Sequence, residues 1–571
     1  MKNILGMSYM YHDSAAALLR DGEVLAAAAE ERFIRIKHTV DFPVRAIEYV
    51  LEAGDMGIND LDAIVFYEKP FLKFERILKS HLMMFPRSYK SFRHFLPMWL
   101  NYKLRVPSII RERTGYEGKV YFTDHHYAHA ASAYLPSPFD RSLVLTTDGT
   151  GEWSTVAFGY AEGSRIHLER DIKFPHSLGL LYSSVTAHLG FKVNGGEGKV
   201  MGLASYGKPR FREAFRKLIR VRDDGSFQLD MSYFSFHHDL VMTNDKFAAL
   251  LIPARVPESD IGPEHEDLAA TLQAVTEEVI FKIVRTAHAR YGIDKLCMAG
   301  GVALNCVANG KVLEQTPVTE VHVCPAAGDD GGAVGAALYL YSQMYEGETR
   351  WKMRDAYLGP SYGSEAIEAT LTEAGVSWQI AEDDDDLAAR VGALLADGKI
   401  IGWFQGRMEY GPRALGNRSI LADPTRADMK DVLNAKVKHR EGFRPFAPAI
   451  LAEHRHAWFE GEHDSPFMLL AMPVREDKRD RVPAITHVDG TARVQTVHAE
   501  TNPRFYKLIE AFAGHTGVPI VVNTSFNVRG EPIVCTPHDA YSCFARTRMD
   551  YLVMDRYIVE KPADAHDGRG R

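Results

Sequence analysis

Residues 3–9 (NILGMSY) make an unbroken apolar run of strand length, closed by the polar His12-Asp13-Ser14. AAALLR and EVLAAAA follow on either side of Asp21-Gly22. That dipeptide suits the left-handed positions of a two-residue turn, so the pattern predicts a β-hairpin. A similar layout begins at 142: SLVLTT, the acid-bearing turn Asp148-Gly149-Thr150-Gly151-Glu152, STVAFGYA, a Glu162-Gly163 turn, and RIHLER. Strand, acidic turn, strand, tight turn, strand thus occurs twice. The repeat predicts two mixed α/β sheets whose turns meet at a cleft. Gly-rich turns at such a cleft expose backbone N–H groups suited to phosphates.

Apolar residues at helical spacing predict a long helix over 266–290, ended near Tyr291-Gly292. A short strand (KLCMA), a Gly300-Gly301 turn, a helix carrying Asn305 and the strand VTEVHVCP come next. Ala327 to Gly332 then leads into a helix of small residues. A polar, Gly-rich stretch at 346–363 reads as a domain boundary. Beyond it the pattern predicts a helix at 387–397, the strand KIIGWF, an Arg/Gly-rich loop, a helix at 428–438 and a strand at 518–522 ending in Asn523-Thr524-Ser525. Residues 195–207 (GGEGKVMGLASYG) read as a glycine-rich loop, and 561–571 as a frayed tail.

Composition narrows the class. Over 571 residues, 46% hydrophobic and 25% charged content is ordinary for a globular protein, which excludes collagen-like, wholly disordered and small disulfide-scaffold chains. A net charge of −8 gives no global case for nucleic-acid binding. Cys297, Cys306, Cys324, Cys535 and Cys543 form no CxxC pair, so reduced thiols are expected. The N-terminal sequence turns polar too soon for a signal-peptide core, and no apolar run approaches 18 residues. The expectation is a cytoplasmic protein without a membrane span.

Candidate chemistry clusters in two regions. His125 and His129, four apart in an Ala-rich helical stretch stopped by Pro136, share one helix face and can reach one metal ion. The Gly-flanked acids Asp148 and Asp329 would complete a site for iron, manganese or zinc, although either acid alone could equally cap a turn. Glu197 and Lys199 stand in the glycine-rich run. His12 is a candidate base and Lys37 a candidate anion partner. Toward the C-terminus Arg407, Arg413, Arg418, Lys438, Arg440, Arg444, Arg493 and Arg529 sit beside glycines and prolines. Converging loop arginines bind phosphates bidentately; scattered ones merely form salt bridges. Residues 69–113 hold eleven Lys/Arg against two Glu, with many aromatics and methionines. This insert reads as a lid or packed helical element rather than a membrane- or RNA-facing surface, because Pro86, Pro97 and Pro107 would break a long amphipathic helix.

Ten motifs in order resemble the O-carbamoyltransferases of nodulation-factor and antibiotic biosynthesis: YHDSAAAL, EERFIRIKH, DHHYAHAASAY, TTDGTGEWST, GEGKVMGLASYGKP, AGGVALN, GDDGGAVGAAL, GRMEYGPRALGNRS, KHREGFRPFAP and NTSFNVRGEPIV. The resemblance implies an α/β protein with an actin-like, duplicated ribonuclease H-like domain over 1–350, interrupted by the insert near 69–113. A YrdC-like adenylate-forming domain would span 356–562. It implies that carbamoyl phosphate and ATP, with Mg(II), give carbamoyl-adenylate, whose carbamoyl group passes to a hydroxyl of a small natural product. By motif position, Arg413, Lys438, Arg444, Arg493, Asn523 and Ser525 would bind carbamoyl phosphate and ATP. Gly300, Gly301 and Asn305 would hold the nucleotide, with Lys37 on its phosphate. His125, His129, Asp148 and Asp329 would hold Fe(II) or another divalent metal, Asp330 remaining an alternative to Asp329, and His12 would be the general base. A small hydroxyl acceptor, no nucleic acid, no membrane and a homodimer are the expected associations. The competing reading is a tRNA threonylcarbamoyl-adenosine-type RNA-modifying enzyme; a non-catalytic nucleotide-binding protein ranks behind both.

Overall fold

The computed structural model describes residues 2–345 and 350–562. The chain divides into two compact units. One comprises the chain up to Glu30 and His38–Met353; the other comprises Glu31–Lys37 and the chain from Arg354 onward. Residues 346–349 of the expected boundary, and the expected tail from 563, lie outside the described residues.

In the first unit, β1 (Asn3–Ser8), β2 (Ala15–Arg20), β3 (Glu23–Ala29), β4 (Ala63–Phe66) and β5 (Val120–Phe122) form a sheet in the order β3-β2-β1-β4-β5. β1 runs antiparallel to β2 and parallel to β4. All six β1 residues are buried, as a central strand covered on both faces requires. Asp21 (φ 48°) and Gly22 (φ 89°) adopt the left-handed geometry the hairpin demands. The second sheet is built from β6 (Arg141–Thr147), β7 (Ser154–Glu162), β8 (Arg165–Lys173) and the strands Lys295–Ala299 and Glu320–Val323. It has the same order and the same parallel and antiparallel pairings, with β6 in the place of β1. The predicted repeat is therefore a duplicated ribonuclease H-like sheet, the topology of actin-like folds.

Helix His125–Tyr134 packs against helix Gly331–Met344. A Cβ at Gly335 would lie 1.8 Å from the Ala128 carbonyl oxygen, and one at Gly6 would lie 1.9 Å from that of Ala333. The small residues of AHAASA and GGAVGAA thus let backbone meet backbone. This close approach brings the loop before Gly331 beside the histidine helix.

Several local expectations change. Residues 197–203 of the supposed glycine-rich loop form a helix, Glu197–Leu203. Its Glu197 carboxylate accepts the Asn194 and Gly195 amides and the Ser183 hydroxyl, so the acid serves the turn rather than a ligand. Asn305 caps helix Cys306–Gln315 instead of lying within it. The insert folds as helices Pro70–Met83, Tyr89–Asn101 and Val106–Thr114. Pro86 falls between helices and Pro107 in a first turn, where proline is tolerated, but Pro97 lies inside its helix.

The second unit is a nine-stranded mixed sheet. At its centre Ile401–Phe404, Arg418–Ala422, Ile520–Ser525 and Ala447–Leu451 pair antiparallel in succession. Helices Asp384–Ala396 and Pro503–Thr516 pack together. Asp383 accepts the Asp385 and Asp386 amides at the start of the first of these. The predicted helix at 428–438 is a helical turn, Met429–Leu433, running into a wider π turn, Asn434–Lys438.

Residues 31–37 are not part of the first domain, contrary to the continuous boundary expected from sequence. Phe33 packs on Met408, Ala414, Ile533 and Cys535. Arg32 donates to the Gly411 carbonyl, and Arg35 to those of Pro532 and Ile533. These bonds satisfy loop carbonyls of the second unit and hold the segment there. Lys37 accordingly belongs to that unit, where its charge helps depress the ammonium of Lys438.

Candidate active site

Four buried donors converge in the first unit: His125 and His129 from one helix, Asp148 from the turn after β6, and Asp329 from the loop before Gly331. The two Nε2 atoms stand 3.1 Å apart. His125 Nε2 lies 3.0 Å from Asp148 Oδ2 and 3.7 Å from Asp329 Oδ1. His129 Nε2 lies 3.8 and 3.5 Å from the same two oxygens. Ligand atoms sharing an ion at about 2.1 Å in a tetrahedron stand roughly 3.4 Å apart, so the set has the spacing of a coordination shell. Asp329 Oδ1 is buried with no hydrogen-bond partner. An orphaned carboxylate oxygen facing two imidazoles is what a divalent cation would satisfy. It is Asp329 that joins this group; Asp330 sits at the start of the following helix.

The electrostatics point the same way. Burial alone would raise both carboxyls, yet hydrogen bonds from His125 and His129 hold Asp148 well below the usual carboxylate range. The charges of His12 and His125 lower Asp329. Burial opposes protonation of His129, but the attraction of the Asp148 and Asp329 carboxylates, 3.8 and 3.5 Å away, keeps it up at about 9. Two carboxylates this deeply buried call for positive charge between them, which a bound cation would supply.

A supporting ring fixes the donors. The Gly301 amide donates to Asp148 Oδ1 at 3.0 Å, and Tyr67 Oη to Asp329 Oδ2 at 3.2 Å. Glu152 accepts the backbone amides of His125 and Lys69. His126 stays outside the four-donor group, buried against Thr146 Oγ1 and the Ser154 carbonyl, and burial pushes it down to about 3. His12 Nδ1 lies 2.9 Å from Asp13, whose other oxygen meets His38 at 2.7 Å. This turns His12 Nε2 toward Asp329 Oδ2, 3.8 Å away. Burial would lower His12, but the charge of Asp329 and the Asp13 bond raise it to about 10. The insert closes in beside it: Lys73 pairs with Glu68 at 2.6 Å, and the Lys73 and Lys103 ammoniums lie 3.3 and 3.6 Å from the Tyr11 ring centre.

Of the nucleotide candidates in this unit, Gly301 serves Asp148, and Gly300 takes a left-handed φ of 90° just before it. Asn305 exchanges side-chain bonds with Gln273 and accepts the Ala308 amide.

In the second unit, Lys438 Nζ donates to Asn527 Oδ1 at 2.9 Å, to Ser525 Oγ at 3.3 Å, and to the carbonyls of both residues. Burial holds its pKa well below the ordinary lysine value. Arg440 is pushed down to about 9 by burial and by Arg444 and Arg493. Burial also lowers Arg444, which Glu441 partly offsets and Arg493 and Arg529 reinforce. Glu441 lies 3.9 Å from Arg444 and 3.7 Å from Arg529. One carboxylate among these cations, of which Lys438 is buried, Arg440, Arg444 and Arg493 half-buried and Arg529 exposed, leaves an excess of positive charge suited to a polyanion. Asn523 is fully buried and donates to Gln495 Oε1 and the Ala414 carbonyl, in the loop that carries Arg413. Arg418 is structural: its guanidinium lies 3.7 Å from the Phe404 ring centre and donates to loop carbonyls. Glu409, which accepts the Leu415, Asn417 and Arg418 amides, Glu441, Asp13, His38, Tyr67 and Glu152 were not singled out from sequence. All of these but Tyr67 did lie inside five of the motifs.

The Carbamoyltransferase N-terminus family matches residues 3–338, and the Carbamoyltransferase C-terminus family matches 392–561. An uncharacterized protein of Synechocystis is 46% identical over 99% of this chain and 97% of its own. Nodulation protein NolNO of Sinorhizobium fredii is 40% identical over 96% of this chain and 79% of its own. The 3'-hydroxymethylcephem-O-carbamoyltransferase of Amycolatopsis lactamdurans is 30% identical over 80% of this chain and 84% of its own. A chain with a duplicated sheet that holds a buried His₂Asp₂ group, and a second unit with a half-buried arginine cluster, thus belongs to the carbamoyltransferase family and is a carbamoyltransferase.

Proposed function

We propose that the chain is an ATP-dependent O-carbamoyltransferase acting on a hydroxyl of a small natural product, the nodulation and cephem relatives supporting this acceptor class. In this reading water releases carbamate and inorganic phosphate from carbamoyl phosphate in the second, YrdC-like unit, and a carbamate oxygen attacks the α-phosphate of ATP·Mg(II), displacing pyrophosphate and giving carbamoyl-adenylate. Lys438, Arg413, Arg444 and Arg493 hold the phosphates, with Lys37 contributing from the same unit and Asn523 and Ser525 lining the site. Gly300, Gly301 and Asn305 border the nucleotide during transfer in the first unit. His12 accepts the acceptor's hydroxyl proton at Nε2 from its neutral form, which requires that a cation held by Asp329 offset the carboxylate charge that otherwise keeps the imidazole protonated, and Asp13 fixes the opposite ring nitrogen, so the base is presented in one orientation. Tyr67 and Gly301 keep the two aspartates aimed inward. A divalent metal, Fe(II) by family resemblance, would be held by His125, His129, Asp148 and Asp329 and would supply Lewis acidity toward an oxygen of the adenylate.

The observation that carries this reading is the convergence of those four donors beside His12 in a chain of this family. The test is incubation of the purified protein with carbamoyl phosphate and ATP. Pyrophosphate and carbamoyl-adenylate should form, and their absence refutes the proposal. Arg444→Ala should abolish adenylate synthesis, whereas His12→Asn should leave it intact and stop transfer. Loss of the same step in both would show the division of roles to be wrong.

A further inference from the structure

Of the large apolar side chains that stand exposed among the described residues, an unusual share lies on the first two helices of the insert, Pro70–Met83 and Tyr89–Asn101, and the bend between them. Phe71 is 70% exposed, Leu82 63%, Met83 84%, Phe85 67% and Tyr89 55%. Four of these five fall within the eight residues 82–89, which close one helix and open the next. The cations of the insert sort by depth. Lys73, Arg76 and Lys103 are buried, whereas Lys79, Arg87, Lys90 and Arg93 are exposed. On these two helices the carboxylate is that of half-buried Glu75, bonded to Lys79; on the third helix exposed Glu112 pairs with Arg105, which stands exposed with Arg111 and Arg113. The tip therefore presents bulky apolar side chains flanked by uncompensated positive charge.

We infer that this tip is a docking surface for an anionic lipid bilayer, with Leu82, Met83 and Phe85 entering the headgroup boundary while Arg87, Lys90 and Arg93 meet lipid phosphates. The charge decides among occupants. A second copy docking through the same patch would set each cation cluster against its own image. Nucleic acid would use the cations but leave Leu82 and Met83 without a partner. An anionic membrane uses both halves, apolar burial and electrostatic attraction, as interfacial helices do. No helix of the described residues is long and apolar enough to cross a membrane, so the contact is peripheral; this reverses the sequence expectation of an insert turned away from membranes, because Pro86 stands at the apolar bend between two helices rather than breaking the surface.

The test is co-sedimentation of the full-length protein with phosphatidylcholine vesicles and with vesicles containing 30% phosphatidylglycerol. Binding should be confined to the anionic vesicles and should weaken as salt is raised. Met83→Asp with Phe85→Asp should abolish it. Arg87→Ala with Lys90→Ala and Arg93→Ala should weaken it on the order of a hundredfold, at about 1 kcal/mol per cation. All five positions are exposed, and circular dichroism of the variants confirms that the fold survives. Equal binding to both vesicle types, or unchanged binding by the Asp variant, would overturn the inference. So would failure to bind lipid together with patch-dependent dimerisation or RNA binding.

Discussion

Arg418→Met isolates what one buried guanidinium does for the second unit. The side chain is fully buried and donates to the carbonyls of Gln405, Gly406, Asn417 and Pro360, while its plane covers Phe404. Methionine fills similar volume but supplies no donor. Pro360 O also accepts the Met408 amide and Asn417 O the Gln405 amide, so those two carbonyls keep a partner. The loss falls on Gln405 O and Gly406 O. A buried polar group left without a partner costs roughly 1–3 kcal/mol, which gives about 4 kcal/mol for the pair. Removing the charge itself refunds part of a desolvation penalty, so the figure is an upper value. With a urea m-value of about 2–3 kcal/mol/M, the unfolding midpoint of the second unit should fall by about 1.5 M. Lysine should not rescue it, because a single ammonium cannot reach four carbonyls as a planar fork does. A midpoint shift below about 0.3 M in Arg418→Met would refute the reasoning.

Asp329→Asn keeps the shape of the four-donor group but removes the charge of the orphaned oxygen, and should reduce divalent-ion affinity at least a hundredfold in calorimetry; undiminished binding would remove Asp329 from the shell. Gly335→Ala places a methyl against the Ala128 carbonyl, should cost about 1–3 kcal/mol, and should weaken ion binding with it, since the same helix pair positions Asp329; a wild-type melting curve would show that the helices can part freely. His498 is raised by its bond to Asp464, 3.3 Å away, so the pair stabilises the fold below the unfolded histidine value near 6.5 and the gain is lost as pH rises through the folded value. Asp464→Asn should therefore lower the His498 titration midpoint in an NMR pH series, by an amount worth at most about 1 kcal/mol for so accessible a pair; an unmoved midpoint would discount the contact.

Sequence reasoning reached the duplicated sheet because strand, acidic turn and hairpin each leave a local mark: Asp21-Gly22 and Glu162-Gly163 report their own geometry. It reached the four-donor group because His125 and His129 share a helix face and because Asp148 and Asp329 stand in Gly-flanked turns inside recognisable motifs. What it missed is relational. Nothing local in GGEGKVMGLASYG distinguishes a phosphate loop from a short helix whose Glu197 closes its own turn. Arg418 and Arg413 look alike in GPRALGNRS, yet one faces loop carbonyls in the interior. Tyr67 and Glu152 act by reaching Asp329 and Lys69, far along the chain, a distance no periodicity encodes.

The excursion of residues 31–37 changes what a truncation can mean. Cutting between Met353 and Arg354 would strip from the C-terminal piece the side chains of Phe33, Arg32 and Arg35, leaving an apolar scar on Met408 and Ile533 and bare carbonyls at Gly411 and Pro532. Neither half is inherited as one contiguous stretch. Gene splitting, fusion or domain transplantation would have to carry this seven-residue strap along or supply it as a separate peptide.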